Sequence, residues 1–273
     1  MTTVPSPPRR PACLLGVPWD ASSSFARGAA AAPPLIRAAL WSPSSNAWNE
    51  RGDDVSSAAV LQDAGDLTLP EDGATARQRI EAGVRARLDA GQVPIVLGGD
   101  HAITYPVLRA WRGRGPAPTV LHFDAHSDLY EDFEGDRYSH ACPFARAMEE
   151  GLIARLVQVG IRCMTAHLRD QVSRYGVEVY DAGRWHDALP VVAGLSGPVY
   201  VSLDLDVLEP MLAPGLSHPE PGGLTVREVL EALHRLPVPI VGADVVEYNP
   251  RLDIRDLTAR VAAKFVKELA GLT

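Results

Sequence analysis

The sequence predicts a three-layer α/β/α domain built on a mainly parallel sheet of about eight strands. Three observations predict it. Short continuous Val/Ile/Leu runs recur along the chain, amphipathic stretches alternate with them, and no internal repeat or linker divides the series. Continuous apolar strands belong to parallel sheets that helices cover on both faces.

Strands are expected at 12–17, 60–63, 93–97, 119–123, 156–161, 178–180, 199–203 and 240–245. Helical patterns lie between them at 75–88, 140–150, 226–236 and 257–270. Pro33-Pro34 suits the first turn of a further helix and Gly151 the end of one, because proline fixes φ where no N–H is needed and glycine tolerates left-handed backbone. The first residues, Met-Thr-Thr-Val-Pro-Ser-Pro-Pro-Arg-Arg-Pro, are proline-rich and hold no apolar stretch of signal-peptide length. They read as a loose arm over 1–11, ahead of a single domain over 12–273.

Composition narrows the function class. The chain has 273 residues, 46% of them apolar, which is enough for a large core. Its formal charge of −8 argues against nucleic acid or an anionic membrane as partner. Lys264 and Lys267 are the only lysines, and the arginines are scattered without a basic run. Cys13, Cys142 and Cys163 are odd in number and lack CxxC spacing, which predicts free thiols, as small core or surface residues and not ligands, in a reducing, cytoplasmic setting. No apolar run approaches the length of a membrane span.

The polar residues that matter fall just past the apolar runs. Gly98-Gly99-Asp100-His101, Asp124-Ala125-His126-Ser127-Asp128, Asp204-Leu205-Asp206 and Glu247 each follow an expected strand. Ligands of open parallel sheets bind outside the carboxyl ends of the strands, so the four groups can meet in one cleft. Asp124, His126 and Asp128 share one parity, and extended backbone turns such residues to the same side. Taken alone, that set reads as a metal site, a solvated loop or an ion-paired network. Asp204 and Asp206 repel each other unless cations neutralise them. Gly98-Gly99 with His101 also reads as a strand-to-helix connection, and His122 as a core residue or one that supports the ligands from behind.

Jointly, His101, Asp124, His126, Asp128, Asp204 and Asp206 offer two imidazoles and four carboxylates. Two divalent ions cancel four carboxylate charges. Hard oxygen donors with some imidazole favour Mn²⁺ over Zn²⁺. Two ions about 3.5 Å apart can share a water and lower its pKa, which is the chemistry of metal-assisted hydrolysis.

These motifs, in this order, resemble those of the ureohydrolase (arginase/agmatinase) family. Ala213-Pro214-Gly215, Pro219-Glu220-Pro221-Gly222-Gly223-Leu224 and Val245-Val246-Glu247-Tyr248-Asn249-Pro250 extend the resemblance, which runs from about Gly16 to the last helix. Phe133-Glu134-Gly135, Tyr138-Ser139-His140-Ala141, Phe144-Ala145-Arg146 and Gln158-Val159-Gly160-Ile161-Arg162 look most like plant-type arginases and their bacterial relatives. The resemblance implies an arginase-like fold, two Mn²⁺ per chain and a homotrimer or homohexamer. It assigns His101 and Asp128 to one ion, His126 and Asp206 to the other, and Asp124 and Asp204 to both. Glu247 would pair with a substrate guanidinium, and His140 would carry protons.

The implied reaction is cleavage of a small guanidino substrate to urea and an amine. L-arginine is the first expectation, with Asp136 and Arg137 at its far end and Arg137 meeting the α-carboxylate. Agmatine or another guanidino acid is the alternative. Glu131, Asp132, Glu134 and Asp136 against Arg137 alone make that loop acidic, which favours a cationic tail. A zinc-dependent deacetylase-like amidohydrolase is a remoter alternative on the same fold. The chain departs from the family pattern at Ala102, where Ser is frequent, at Glu209, where Asp is usual, and at Leu216-Ser217-His218.

Overall fold

The computed structural model describes residues 9–273. Its strands are β1 (Ala12–Val17), β2 (Leu61–Asp66), β3 (Val93–Gly98), β4 (Thr119–Phe123), β5 (Arg155–Ile161), β6 (Glu178–Asp181), β7 (Val199–Asp204) and β8 (Ile240–Val246). They form one sheet in the order β2-β1-β3-β8-β7-β4-β5-β6, with every pairing parallel. β1, β3 and β7 are buried at every position, whereas the edge strands β2 and β6 are largely open. That contrast follows from apolar residues on both sides of each central strand.

Two apolar cores flank the sheet. On one side Leu14, Ile95, Leu121, Val201 and Val245 meet α1 (Ala32–Leu40), α6 (Ala188–Ala193), α7 (Val226–His234) and α8 (Leu257–Ala270). On the other, Leu15, Val96, Val120, Tyr200 and Val246 meet α2 (Gly73–Asp89), α3 (Thr104–Arg109), α4 (Pro143–Glu149) and α5 (Ala166–Tyr175). Neighbours along each strand thus serve opposite layers, as a period of two requires. None of the described helices is long and apolar enough to cross a membrane.

The expected arm over 1–11 has its first eight residues outside those described. From Arg9 onward the chain is held: the guanidinium bonds Ala270 O at 2.7 Å, Thr273 O at 3.0 Å and Asp53 at 2.7 Å. The helix expected over 140–150 begins only at Pro143. Proline at the first helical position costs no hydrogen bond there, so the helix starts at that residue. His140 is left on the preceding loop, where its ring turns into the cleft.

Candidate metal centre and active-site cleft

β3, β8, β7 and β4 are neighbours at the middle of the sheet, so the groups that follow them converge. After β3, a Cβ at Gly99 would lie 1.6 Å from Trp19 O, so the close approach of the two loops requires glycine. Asp100 then binds the other loop, its carboxylate accepting from Ser22 N and Ser23 Oγ. After β4 the backbone stays paired as far as His126, which bridges Cys163 in parallel. Asp128 departs from the extended path, at φ +50°, and Glu247 after β8 sits at φ +65°. Left-handed backbone at non-glycine residues costs of order 1–3 kcal/mol and concentrates at functional sites. Here it aims two carboxylates into the cleft that a regular strand would turn elsewhere.

Three carboxylate oxygens surround His101 Nδ1: Asp124 Oδ2 at 3.2 Å, Asp128 Oδ2 at 3.1 Å and Asp204 Oδ2 at 3.1 Å. His126 Nδ1 faces Asp206 Oδ2 at 2.9 Å and Asp124 Oδ1 at 3.4 Å. Asp124 therefore shows one oxygen to each imidazole. All of these side chains are buried except His126, which is partly open.

The tautomers follow from the surroundings. His101 Nε2 lies 2.9 Å from Ser202 Oγ, and that hydroxyl donates to Asp244 Oδ1 at 2.7 Å. Asp244 accepts further from Tyr200 and Thr104 at 2.6 and 2.9 Å. Ser202 must then accept from His101 Nε2–H, leaving Nδ1 a lone pair among acceptors. Nδ1 is buried and makes no hydrogen bond. A lone pair facing three carboxylates is stable only with a cation between them. Two divalent ions fit this donor set: one within His101, Asp128, Asp124 and Asp204, the other within His126, Asp206 and Asp124.

Charge perturbations in the metal-free chain tell the same story. Burial pushes the Asp204 carboxyl well up, reinforced by Asp206 and Asp124, and burial with Asp124 pushes Asp206 up to about 6. Burial opposes charge on His101, yet the adjacent carboxylates of Asp124, Asp128 and Asp204 outweigh it and raise its pKa well above the usual value. Without metal, the cluster takes up protons instead.

His122 is a supporting residue. Gln158 Nε2 bonds its Nδ1 at 3.0 Å, so Nε2 carries the proton that it gives to Asp124 Oδ2 at 2.8 Å. Gln158 is itself fixed by Ser127. Glu209, the longer acid in place of aspartate, accepts from Gly222 N and Gly223 N at 2.8 and 3.1 Å.

Above the carboxylates lies a cavity of about 370 Å³. Glu247 Oε1 accepts from His101 N at 2.9 Å and from His140 Nδ1 at 3.0 Å, while Oε2 is buried without a partner. Burial lowers the His140 pKa, but its bond to Glu247 and the charges of Glu247, Asp128 and Asp100 raise it overall to about 9. Ser24 Oγ meets His140 Nε2 at 3.0 Å and His218 Nε2 at 3.4 Å. Tyr130, Phe133, Met164 and Leu168 line the outer wall.

The structure does not bring Asp136 and Arg137 to this cavity. Asp136 caps its own loop by accepting from Tyr138 N at 2.7 Å, and Arg137 points away to Glu149 at 3.1 Å. Sequence reasoning passed over Asp244, Ser24 and His218. An acid inside the apolar run of β8 was a signal for Asp244, since a buried charge needs partners. His218 lies in the Leu216-Ser217-His218 segment noted as a departure from the family pattern, but nothing in the sequence tied it to the site, and Ser24, on a remote loop, left no signal.

The fold and the paired His/Asp clusters are those of an α/β hydrolase that works with bound metal, and the relatives that follow make it one acting on C–N bonds of linear amidines. A profile described as "Arginase family" matches residues 10–271, and the chain belongs to that family. It is 48% identical to the mitochondrial arginase of Medicago truncatula, an alignment covering 94% of this chain and 80% of that one. The solved arginase of Medicago truncatula superposes with a TM-score of 0.92 at 47% identity, covering 96% of this chain and 86% of that one. The agmatinase of Bacillus anthracis is 33% identical, over 94% of this chain and 89% of its own. The plant relative's mitochondrial location overturns the expectation of a cytoplasmic protein. Unpaired cysteines indicate a reducing environment, and a reducing organelle interior satisfies them equally well.

Proposed function

We propose that this protein holds two Mn²⁺ and hydrolyses L-arginine to L-ornithine and urea. The observation that carries the metal part is the orphaned His101 Nδ1 among three carboxylate oxygens. Four ligand carboxylates beside two imidazoles favour Mn²⁺ over the more nitrogen- and sulfur-loving Zn²⁺. Arginine as substrate is supported by the higher identity to the plant arginase than to the agmatinase.

Bound divalent ions supply Lewis acidity and bring the pKa of a shared water towards neutrality. The chain's own residues then bind and orient. Glu247 Oε2, buried and unpartnered, pairs with the guanidinium and presents its central carbon to the carboxylate floor. Glu247 adds one negative charge that a guanidinium of +1 complements. His140, held at Nδ1 by Glu247 and at Nε2 by Ser24, lines the cavity and gives the departing amine its proton. Its elevated pKa belongs to a site whose ligand carboxylates are uncompensated, and bound cations bring it back towards neutral.

Agmatine is the second reading, and one observation favours it. Among the described residues the cavity lining offers no Arg or Lys to an α-carboxylate, and Arg137 is engaged by Glu149. Urea release with Mn²⁺ from arginine, agmatine, guanidinobutyrate and guanidinopropionate separates the readings. Exclusive turnover of agmatine refutes the arginine assignment, and no urea from any of them refutes the chemistry. Assembly as a homotrimer or homohexamer belongs to the same reading, and gel filtration tests it.

A further inference from the structure

His218 stands on the loop between β7 and α7 and belongs to neither of the two buried ligand sets. Its ring lies 4.9 Å from that of His140, centroid to centroid, and 5.9 Å from Phe25. One ring nitrogen of each histidine and a Glu247 oxygen all fall within 4.8 Å of one another. Glu247 Oε2 is the second observation: a buried carboxylate oxygen with no donor, on a side chain only 6% exposed.

We propose that His140, His218 and Glu247 form a third cation site, which takes a zinc-type divalent ion in the place of the substrate's guanidinium. It rests on the reading of Glu247 as the guanidinium partner for its inhibitory consequence, though not for the binding itself.

The donor chemistry separates this site from the deeper pair. Two imidazoles and one carboxylate make a set that binds Zn²⁺ with a fourth position open, and all three residues line the cavity. The floor sets each combine one imidazole with several carboxylate oxygens, which suits a harder ion. Imidazole donors favour zinc over manganese more strongly than carboxylate donors do, so added zinc displaces any Mn²⁺ from the third site before it competes for the carboxylate-rich floor. Bonds of about 2.0–2.2 Å in a tetrahedral arrangement place ligand atoms about 3.4 Å apart; His140 Nδ1 and Glu247 Oε1 already lie 3.0 Å apart, so any remaining approach falls to His218. It is half-buried, and the polar contact recorded for its ring is the long one to Ser24. His140, by contrast, is held at Nε2 by Ser24, and the ion would take the place of the proton that its Nδ1 shares with Glu247.

Zinc bound here competes with the guanidinium for Glu247 and leaves the buried ions in place. The test uses the Mn²⁺-loaded protein, equilibrated with ZnCl₂ and freed of excess metal, with both elements counted per chain. About one equivalent of zinc with the buried pair's manganese retained is expected. Zinc should raise KM for the guanidino substrate and leave kcat unchanged. His218→Asn should weaken zinc binding by about tenfold or more while manganese stays bound. Co²⁺ added to the Mn²⁺-loaded wild type gives a second readout that needs no variant, the visible absorption of a tetrahedral site. Three results overturn the site: no zinc retained, zinc entering only as manganese leaves the buried pair, or equal zinc affinity in His218→Asn. Zinc bound as expected without competition against substrate retains the site and refutes instead the guanidinium role of Glu247.

Discussion

Replacing Ser202 by alanine tests the support of the metal centre without touching a ligand. The hydroxyl accepts from His101 Nε2 at 2.9 Å and donates to Asp244 Oδ1 at 2.7 Å, both buried. Alanine leaves His101 Nε2–H without an acceptor, a loss of about 1–3 kcal/mol. Asp244 keeps Tyr200 and Thr104 on its other oxygen, so its carboxylate stays anchored and the fold is retained. What is lost is the tautomer preference of His101. With Nε2 unpaired, the proton moves to Nδ1, where three carboxylates attract it and where a metal needs the lone pair. About 2 kcal/mol of that preference corresponds to about thirtyfold in metal affinity, within the usual 10–100-fold for such supporting groups. The assay is Mn²⁺ titration of the stripped protein with both sites resolved. The site containing His101 should weaken and the site containing His126 should not. Equal weakening of both, or unchanged affinity at both, refutes the tautomer argument.

Three further outcomes are expected. Glu247→Gln keeps the shape of the side chain but removes a charge-assisted bond of about 1.5–3 kcal/mol, so kcat/KM should fall by about tenfold or more with metal content unchanged; unaltered kinetics would move the guanidinium site elsewhere. In the metal-free protein the folded pKa of His140, about 9, lies above its unfolded value of about 6.5. Its contribution is therefore complete below about pH 6.5 and is lost as pH rises through 9. The melting temperature of stripped wild type should fall over that window more steeply than that of His140→Asn, and parallel curves would contradict the His140–Glu247 pairing. Because Arg137 pairs with Glu149 on the exposed side of the loop, Arg137→Ala should change KM for arginine by less than about twofold. A large rise in KM for arginine alone would bring Arg137 back to the substrate's carboxylate.

Much of this protein was legible before any coordinates. Short uninterrupted apolar runs alternating with amphipathic stretches suit strands buried on both faces, so the parallel sheet and its two helical layers followed from local pattern. A polar residue that interrupts such a pattern at a strand end has one place to go, the cleft beyond the sheet. His101, Asp124, Asp204 and Glu247 were placed that way. Shorter helices escaped notice for a local reason. α3 carries a proline and has only six residues, and α5 buries only Leu168 and Gln171, so neither shows an apolar stripe of useful length.

Parity predicted a common side for Asp124, His126 and Asp128, but Asp128 reaches the site through left-handed backbone rather than by continuing the strand. Sequence pattern alone determined the fold class, the order of strands along the chain and the residue types at their carboxyl ends, because each depends on neighbours a few positions away. Tertiary structure alone decided which loops meet. Ser24 and His218 are joined at His140 across 194 residues, Asp244 is tied to Ser202 in the neighbouring strand, and Arg137 is drawn outward by Glu149. Loop side chains take their direction from distant hydrogen-bond and charge partners, and local spacing carries no record of them.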